Sequence, residues 1–214
     1  MTQCLTINAQ NPQARLLAQA GDALRAGAVI AFPTDSCYAL GCHLGDKAAL
    51  DRLRAIRAID ERHHLTLMCR DLSDIAKYAR VDNRQYRLLK ANTPGSYVFI
   101  LEGAKELPRR VMHPKRKTIG LRIPDHPVAQ SLLAELGEPL LTATLLLPGE
   151  DAPPTEAWRI QEALEGRVGL VLDSGHCGAQ ATTVIDLTSA APELVRAGRG
   201  ALEPFGFSGM NGHE

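Results

Sequence analysis

Aromatic side chains are scarce, at 4% of 214 residues with a single tryptophan. Single strands of nucleic acid are usually held on aromatic stacking platforms, so the scarcity argues against that mode. Any RNA partner would be recognised by shape and backbone instead. Net charge is also absent, since 24 Lys and Arg balance 24 Asp and Glu, so affinity for a polyanion must come from a local patch. No apolar run approaches the ~20 residues of a membrane span. The start, Met1-Thr2-Gln3-Cys4, lacks the basic region and apolar stretch of a signal peptide. The five cysteines, at 4, 37, 42, 69 and 177, form no C-x-x-C. That odd, scattered set argues against a disulfide framework or zinc site and for reduced thiols in the cytoplasm. Neither G-x-G-x-x-G nor G-x-x-x-x-G-K-[ST] occurs, so neither a dinucleotide fold nor a P-loop is supported.

What is present begins with an apolar run, Ala28 to Phe32, that stops at Pro33 and reads as a buried strand. Beyond it Thr34-Asp35-Ser36 supply two hydroxyls and a carboxylate. These either satisfy a tight turn with their own backbone or face a ligand at a strand end, where open α/β sheets hold them. A helix opens at Asn11-Pro12, with Leu16, Leu17, Ala20 and Leu24 as its stripe. Asp46 is the expected N-cap of a helix over 47–59, and Arg57 in its last turn suits the helix dipole. Residues 60–64 have no regular period and form a loop. Its neighbours His63 and His64 are not expected to face one way, which disfavours a metal pair.

Strands are expected at 65–69, 97–101, 118–123, 139–144, 168–172, 182–187 and 194–196. Helices fall at 71–79, 82–91, 125–136 and near Trp158. Between Lys105 and Arg122, seven basic side chains face one acid, Glu106. A basic stretch is ordinarily a solvated surface. The alternatives here are a cationic rim around a phosphate-binding cleft or an RNA-facing surface using Arg109, Arg110, Lys115, Arg116 and Lys117. Arg122 sits among strand residues and should meet a carboxylate or phosphate, because an unpaired buried guanidinium is costly. His176 beside Cys177 could suggest thiol catalysis, but sequence neighbours rarely form such a dyad. Strands and helices in this mixture specify an α/β domain on a twisted sheet.

Six stretches carry a resemblance: F-P-T-D-S-C-Y-A-L-G (32–41), L-T-L-M-C-R-D-L-S (65–73), N-T-P-G-S-Y-V-F-I-L (92–101), K-R-K-T-I-G-L-R-I-P-D-H-P (115–127), G-E-P-L-L-T-A-T-L-L-L-P-G (137–149) and T-T-V-I-D-L-T (182–188). In order and spacing they resemble the YciO/YrdC family, most closely its YciO branch. The resemblance implies one α/β domain over 1–206, and the glycine content of the short tail at 207–214 leads to the expectation that it is disordered. Its mixed sheet would be twisted and mostly open, enclosing a positively charged concave cleft. Members of the YrdC type make threonylcarbamoyl-AMP from L-threonine, bicarbonate and ATP, releasing pyrophosphate, for the N6-threonylcarbamoyl modification of adenosine 37 in tRNA. The family has also been described as binding tRNA and double-stranded RNA.

By position, Thr34, Arg122 and Thr182 fall at the family's substrate contacts, and Arg57, Thr142, Thr144 and Arg196 at its nucleotide contacts. Magnesium would accompany ATP, with no permanently bound cofactor. Two departures stand out. The synthases' K-x-R reads Arg57-Ala58-Ile59, and their S-x-N reads Thr144-Leu145-Leu146. Each lost charge-assisted contact costs ~1.5–3 kcal/mol. The implied enzyme therefore competes with two other readings: an RNA-binding module using the same cleft, and a sensor or hydrolase of a carbamoyl-adenylate.

Overall fold

The computed structural model describes residues 1–207. Its ten strands are β1 (Gln3–Thr6), β2 (Ile30–Phe32), β3 (Ala39–His43), β4 (Thr66–Met68), β5 (Tyr97–Glu102), β6 (Thr118–Arg122), β7 (Leu140–Thr144), β8 (Leu170–Asp173), β9 (Thr183–Asp186) and β10 (Glu193–Arg196). Six α-helices join them: α1 (Ala14–Arg25), α2 (Lys47–Arg57), α3 (Leu72–Tyr78), α4 (Asn83–Asn92), α5 (Pro127–Leu136) and α6 (Ala157–Ala163). The strands form one open sheet in the order β1-β8-β2-β3-β7-β4-β6-β5-β9-β10. Parallel links (β1/β8, β2/β8, β4/β6, β5/β9) occur together with antiparallel ones, so the sheet is mixed.

Successive residues on a strand point to opposite faces, and each face has its own cover. Leu40, Leu67, Phe99, Leu121, Leu141 and Ile185 point to one side, where Leu53 and Ile56 of α2, Ile75 of α3, Leu89 of α4 and Ile160 of α6 seal them. On the other side Ile30, Phe32, Met68, Leu140 and Leu172 pack under Leu17, Ala20 and Leu24 of α1 and Val128, Leu132 and Leu133 of α5. Among the described residues two helices serve this second face, over the β8-β2-β3-β7 end. Beyond them it opens into a cleft.

Asp46 caps α2 as expected, accepting the Ala49 N–H at 2.9 Å. The helix ends at Arg57, two residues before the expected stop, because Ala58 turns left-handed (φ 50°). An L-residue there is strained by about 1–2 kcal/mol, so Ala58→Gly should raise stability by roughly 0.5–1 kcal/mol in a urea melt. An unchanged midpoint would mean that the lost entropy of glycine cancels the relief.

Two strands were not expected. β1 is a four-residue edge strand held by β8. β3 occupies residues 39–43, which the sequence reading left without an element, pairing antiparallel with β2 and β7. Of the tail expected over 207–214, Phe207 is ordered against Leu202 and the core; 208–214 lie outside the described residues. Among the described residues no helix is long and apolar enough to cross a membrane.

Candidate functional site

Strand register builds the cleft floor. Thr144 stands opposite Ala39, Thr142 opposite Thr66, Thr66 opposite Gly120, and Met68 opposite Arg122. Ile100 faces Gly120, and Val98 faces Val184. Residues of six strands, β3, β4, β5, β6, β7 and β9, therefore meet on the side that α1 and α5 leave open. Gly120 keeps that floor low: a Cβ there would stand 2.8 Å from Val98 Cγ1 and 3.1 Å from the Leu65 carbonyl. The cavity measures about 420 Å³. Thr66, Thr142, Thr144 and Thr182 give it hydroxyls, while Val98, Ile100, Val184 and Val195 give it an aliphatic wall. Arg62, Arg122, Arg196, His63 and His64 also line it, with no carboxylate among the lining residues.

Arg122 is the most constrained of these groups. It is 5% exposed, and its Nη2 donates to Asp35 Oδ1 at 2.6 Å. The partner expected for a buried guanidinium is thus an internal carboxylate. Asp35 also accepts from the Ser96 hydroxyl at 2.6 Å through Oδ2 and from the Asp125 N–H at 3.2 Å through Oδ1. The Nε of Arg122 is buried without an acceptor. Such a donor forfeits about 1–3 kcal/mol unless something accepts from it.

The hydroxyl turn divides its labour. Thr34 is buried, and its hydroxyl donates to the Cys37 carbonyl (2.7 Å) while receiving the Ser36 and Cys37 N–H groups. Thr34 therefore shapes the turn and does not line the cavity. Asp35 is the member of the triplet that faces a functional partner, and Cys37, also expected in that turn, reaches the cavity.

Arg196 lines the wall with its guanidinium folded onto Thr182, donating to the carbonyl at 2.9 Å and to the hydroxyl at 3.2 Å. Gly198 permits this approach. A Cβ there would lie 2.4 Å from the Ala181 carbonyl oxygen and 2.5 Å from that of Thr182. Thr142 lines the floor while its hydroxyl donates to the Thr66 carbonyl at 3.0 Å. Arg57 is half-buried just outside the cavity lining, and its Nη1 donates to the Leu146 carbonyl. Burial lowers its pKa, and the nearby positive charge of Arg196 lowers it further.

The five basic candidates of the 105–122 stretch lie elsewhere. None lines the cavity, so of the readings open for this stretch the solvated or RNA-facing surface fits their placement and the cleft rim does not. Arg110 donates to the Gly45 carbonyl at 2.6 Å, and Arg116 pairs with Asp186. Arg109, Lys115 and Lys117 are exposed and, among the described residues, make no ion pair.

His63 and His64 both line the cavity, against the expectation that neighbours would face apart; an irregular loop imposes no alternation. His64 Nε2 lies 2.9 Å from the Thr118 hydroxyl, and its ring stacks on His113 at 4.8 Å. Burial lowers the pKa of His64, with His113 and Arg116 adding to the effect, and burial lowers that of His126 as well. The unfolded chain takes up these protons first as pH falls, so acid favours unfolding. Stability should hold above the ordinary histidine value of about 6.5 and decline as pH falls through and below it. His64→Gln and His126→Gln together should flatten that decline between pH 7 and 5.5 in thermal melts. An unchanged slope would assign it to other groups.

His176 and Cys177 point apart. The imidazole bonds to Glu156 at 2.8 Å, while the buried thiol donates to the Thr34 carbonyl. Among the described residues no three His, Cys, Asp or Glu side chains gather as a metal cage. Asp35 and Asp186, both next to the floor strands, are taken by arginines. The donor set therefore does not fit a metal held by the protein itself.

Comparison with known proteins follows this geometry. A family model for Sua5, YciO and YrdC, described as "Telomere recombination", matches residues 22–198. The crystal structure of E. coli YciO is similar with a TM-score of 0.93 and 50% identity, covering 96% of this chain and 100% of that one. A threonylcarbamoyl-AMP synthase of Chromohalobacter salexigens is 31% identical over 175 residues, 81% of this chain and 93% of its own. P. abyssi Sua5 complexed with L-threonine shares the fold, with a TM-score of 0.84 and 24% identity over 92% of this chain and 58% of that one.

Proposed function

The chain belongs to the Sua5/YciO/YrdC family, and from that premise we propose that its cleft carries out threonylcarbamoyl-adenylate chemistry. L-Threonine, bicarbonate and ATP are the substrates, and threonylcarbamoyl-AMP and pyrophosphate the products. One observation carries the reading: Arg122 stands buried in a cavity wall with an unused donor, among other guanidiniums and with no carboxylate among the lining residues. That lining supports reading the cleft as electropositive. Arg122 holds the threonine carboxylate, with the Thr182 hydroxyl beside it. Arg196 and the Thr144 hydroxyl take the phosphate side, and their fixed donors stabilise charge that develops at the α-phosphate. The aliphatic wall excludes water from the activated carbamate. Magnesium arrives with the nucleotide, as part of that substrate. Five free thiols accord with a cytoplasmic protein.

Arg57 enters this reading only by rearrangement, since the Leu146 carbonyl engages it. Where the synthases carry S-x-N, an apolar side chain stands at 146 and its backbone captures the one cation retained from K-x-R. Turnover is accordingly expected below that of the synthases. The deciding experiment is pyrophosphate release from ATP by the pure protein, with threonine and bicarbonate present and then each omitted, the adenylate being identified by mass. Release that needs both co-substrates supports the reading, and its absence at high enzyme concentration refutes it.

A second reading has its own observation. Arg109, Lys115 and Lys117 stand exposed and unpaired among the described residues, outside the cleft. They form a phosphate-facing surface for tRNA or double-stranded RNA. Replacing all three with alanine should weaken RNA binding and reduce its salt slope by about 2–3, roughly one unit per phosphate contact. Pyrophosphate release would be unchanged.

A further inference from the structure

We infer that Asp35 is a positioning residue: it fixes the guanidinium of Arg122 so that the remaining donors face the cleft and receive the carboxylate of an amino acid. The inference rests on the reading of the cleft given above and assigns a role to a different residue.

Three bonds hold Asp35 from three directions. Ser96, just before β5, donates to Oδ2 at 2.6 Å. The Asp125 N–H, on the way into α5, donates to Oδ1 at 3.2 Å. Arg122, at the end of β6, donates to the same Oδ1 at 2.6 Å. The first two anchor the carboxylate to backbone segments outside the cavity lining, so it cannot follow Arg122 if the arginine swings. With side-chain exposures of 6% and 12%, Arg122 and Asp35 are both shielded from water. A guanidinium so gripped has its Nη2 end fixed, and its buried Nε has no acceptor among the described residues.

Charge and geometry make opposite demands here, and that separates positioning from its alternatives. Asp35 is an anion directly behind a proposed anion site, so its Coulomb effect opposes ligand binding. If charge alone mattered, Asp35→Asn would make the cleft more positive and tighten anion binding. If Asp35 positions Arg122, the same variant frees a mobile guanidinium that must be ordered at binding, and affinity falls. A merely structural contact would move the melting temperature without choosing between these signs.

The test is calorimetric titration of the full chain with L-threonine, and with L-threoninamide, which lacks the carboxylate, as the control probe. Arg122→Lys, which keeps the charge and the pairing with Asp35 but loses the planar fork, reports on the cleft reading itself. Expected are a Kd for L-threonine raised about tenfold or more in Asp35→Asn, partial recovery in Asp35→Glu and a rise of several-fold in Ser96→Ala. L-Threoninamide should bind equally weakly to all. Ser96→Ala retains every charge and carries the test should Asp35→Asn fail to fold. Weaker binding in Arg122→Lys with unchanged or tighter binding in Asp35→Asn and Ser96→Ala would overturn the positioning role and leave the cleft reading intact. No threonine binding by the parent, or none lost in Arg122→Lys, would overturn both.

Discussion

Arg122→Ala should lower the unfolding free energy by about 3–5 kcal/mol, the usual result of breaking a buried ion pair from one side. Asp35 would keep its bonds from Ser96 and the Asp125 N–H but lose its only charged partner in a site 12% exposed. At ~2–4 °C per kcal/mol for a chain of this size, melting should fall by on the order of 10 °C. The double variant Asp35→Asn/Arg122→Met removes both charges and should regain most of that loss, since desolvation of the pair offsets much of its attraction. Urea melts of the three proteins check this. A single variant within 1 kcal/mol of the parent would mean that water reaches Asp35 once the arginine is gone.

Gly198→Ala should be costly for a different reason. The added Cβ meets the Ala181 and Thr182 carbonyl oxygens at 2.4 and 2.5 Å, and these are backbone atoms with no rotamer to change. Overpacking of this kind costs about 1–3 kcal/mol. The segment that must move also donates the Gly198 N–H to the Thr183 hydroxyl at 3.0 Å, and it anchors Arg196 on Thr182. Binding at the cleft should weaken along with stability. Gly120→Ala, which crowds the floor instead, should affect binding with its hairpin bonds left in place. Melting and titration of both variants separate the two effects. A Gly198→Ala protein that melts like the parent would show that the β9–β10 connection adjusts freely.

Much of this architecture could be read from the chain because local and tertiary preferences agree. The stripes of α1 and α2 each face a buried layer, on opposite sides of the sheet. The N-cap Asp46 and the β-rich runs of β5 and β9 agree with their tertiary surroundings, so local pattern alone finds them. β3 escaped for a physical reason. Ala39-Leu40-Gly41-Cys42-His43 is buried almost throughout between β2 and β7, so it shows no alternation, and its glycine and alanine carry no strand preference. Burial on both sides decides its conformation, and burial is not a local property. The site was half legible. Arg122 announced its need for a carboxylate, but the identity of Asp35 depends on how β6 ends beside the turn after β2.

The partners within the basic stretch were hidden for the same reason. A charge count over 105–122 cannot see that Arg116 has its carboxylate at Asp186, 70 residues on. One signal was available and unused. Thr66-x-Met68, Val98-x-Ile100 and Thr142-x-Thr144 each repeat at a spacing of two, and together they trace the cleft floor.

The placement of β1 has a consequence for how the chain is made. Its only strand partner is β8, and the Thr2 hydroxyl donates to the carbonyls of Leu164 and Val168, 162 and 166 residues later. β1 therefore waits, unpaired, until β8 has been made. At 5–20 residues per second that interval lasts about 10–30 s. During it an edge strand has no mate, so holdase capture should centre on residues 3–6, and release should coincide with emergence of residues 170–173.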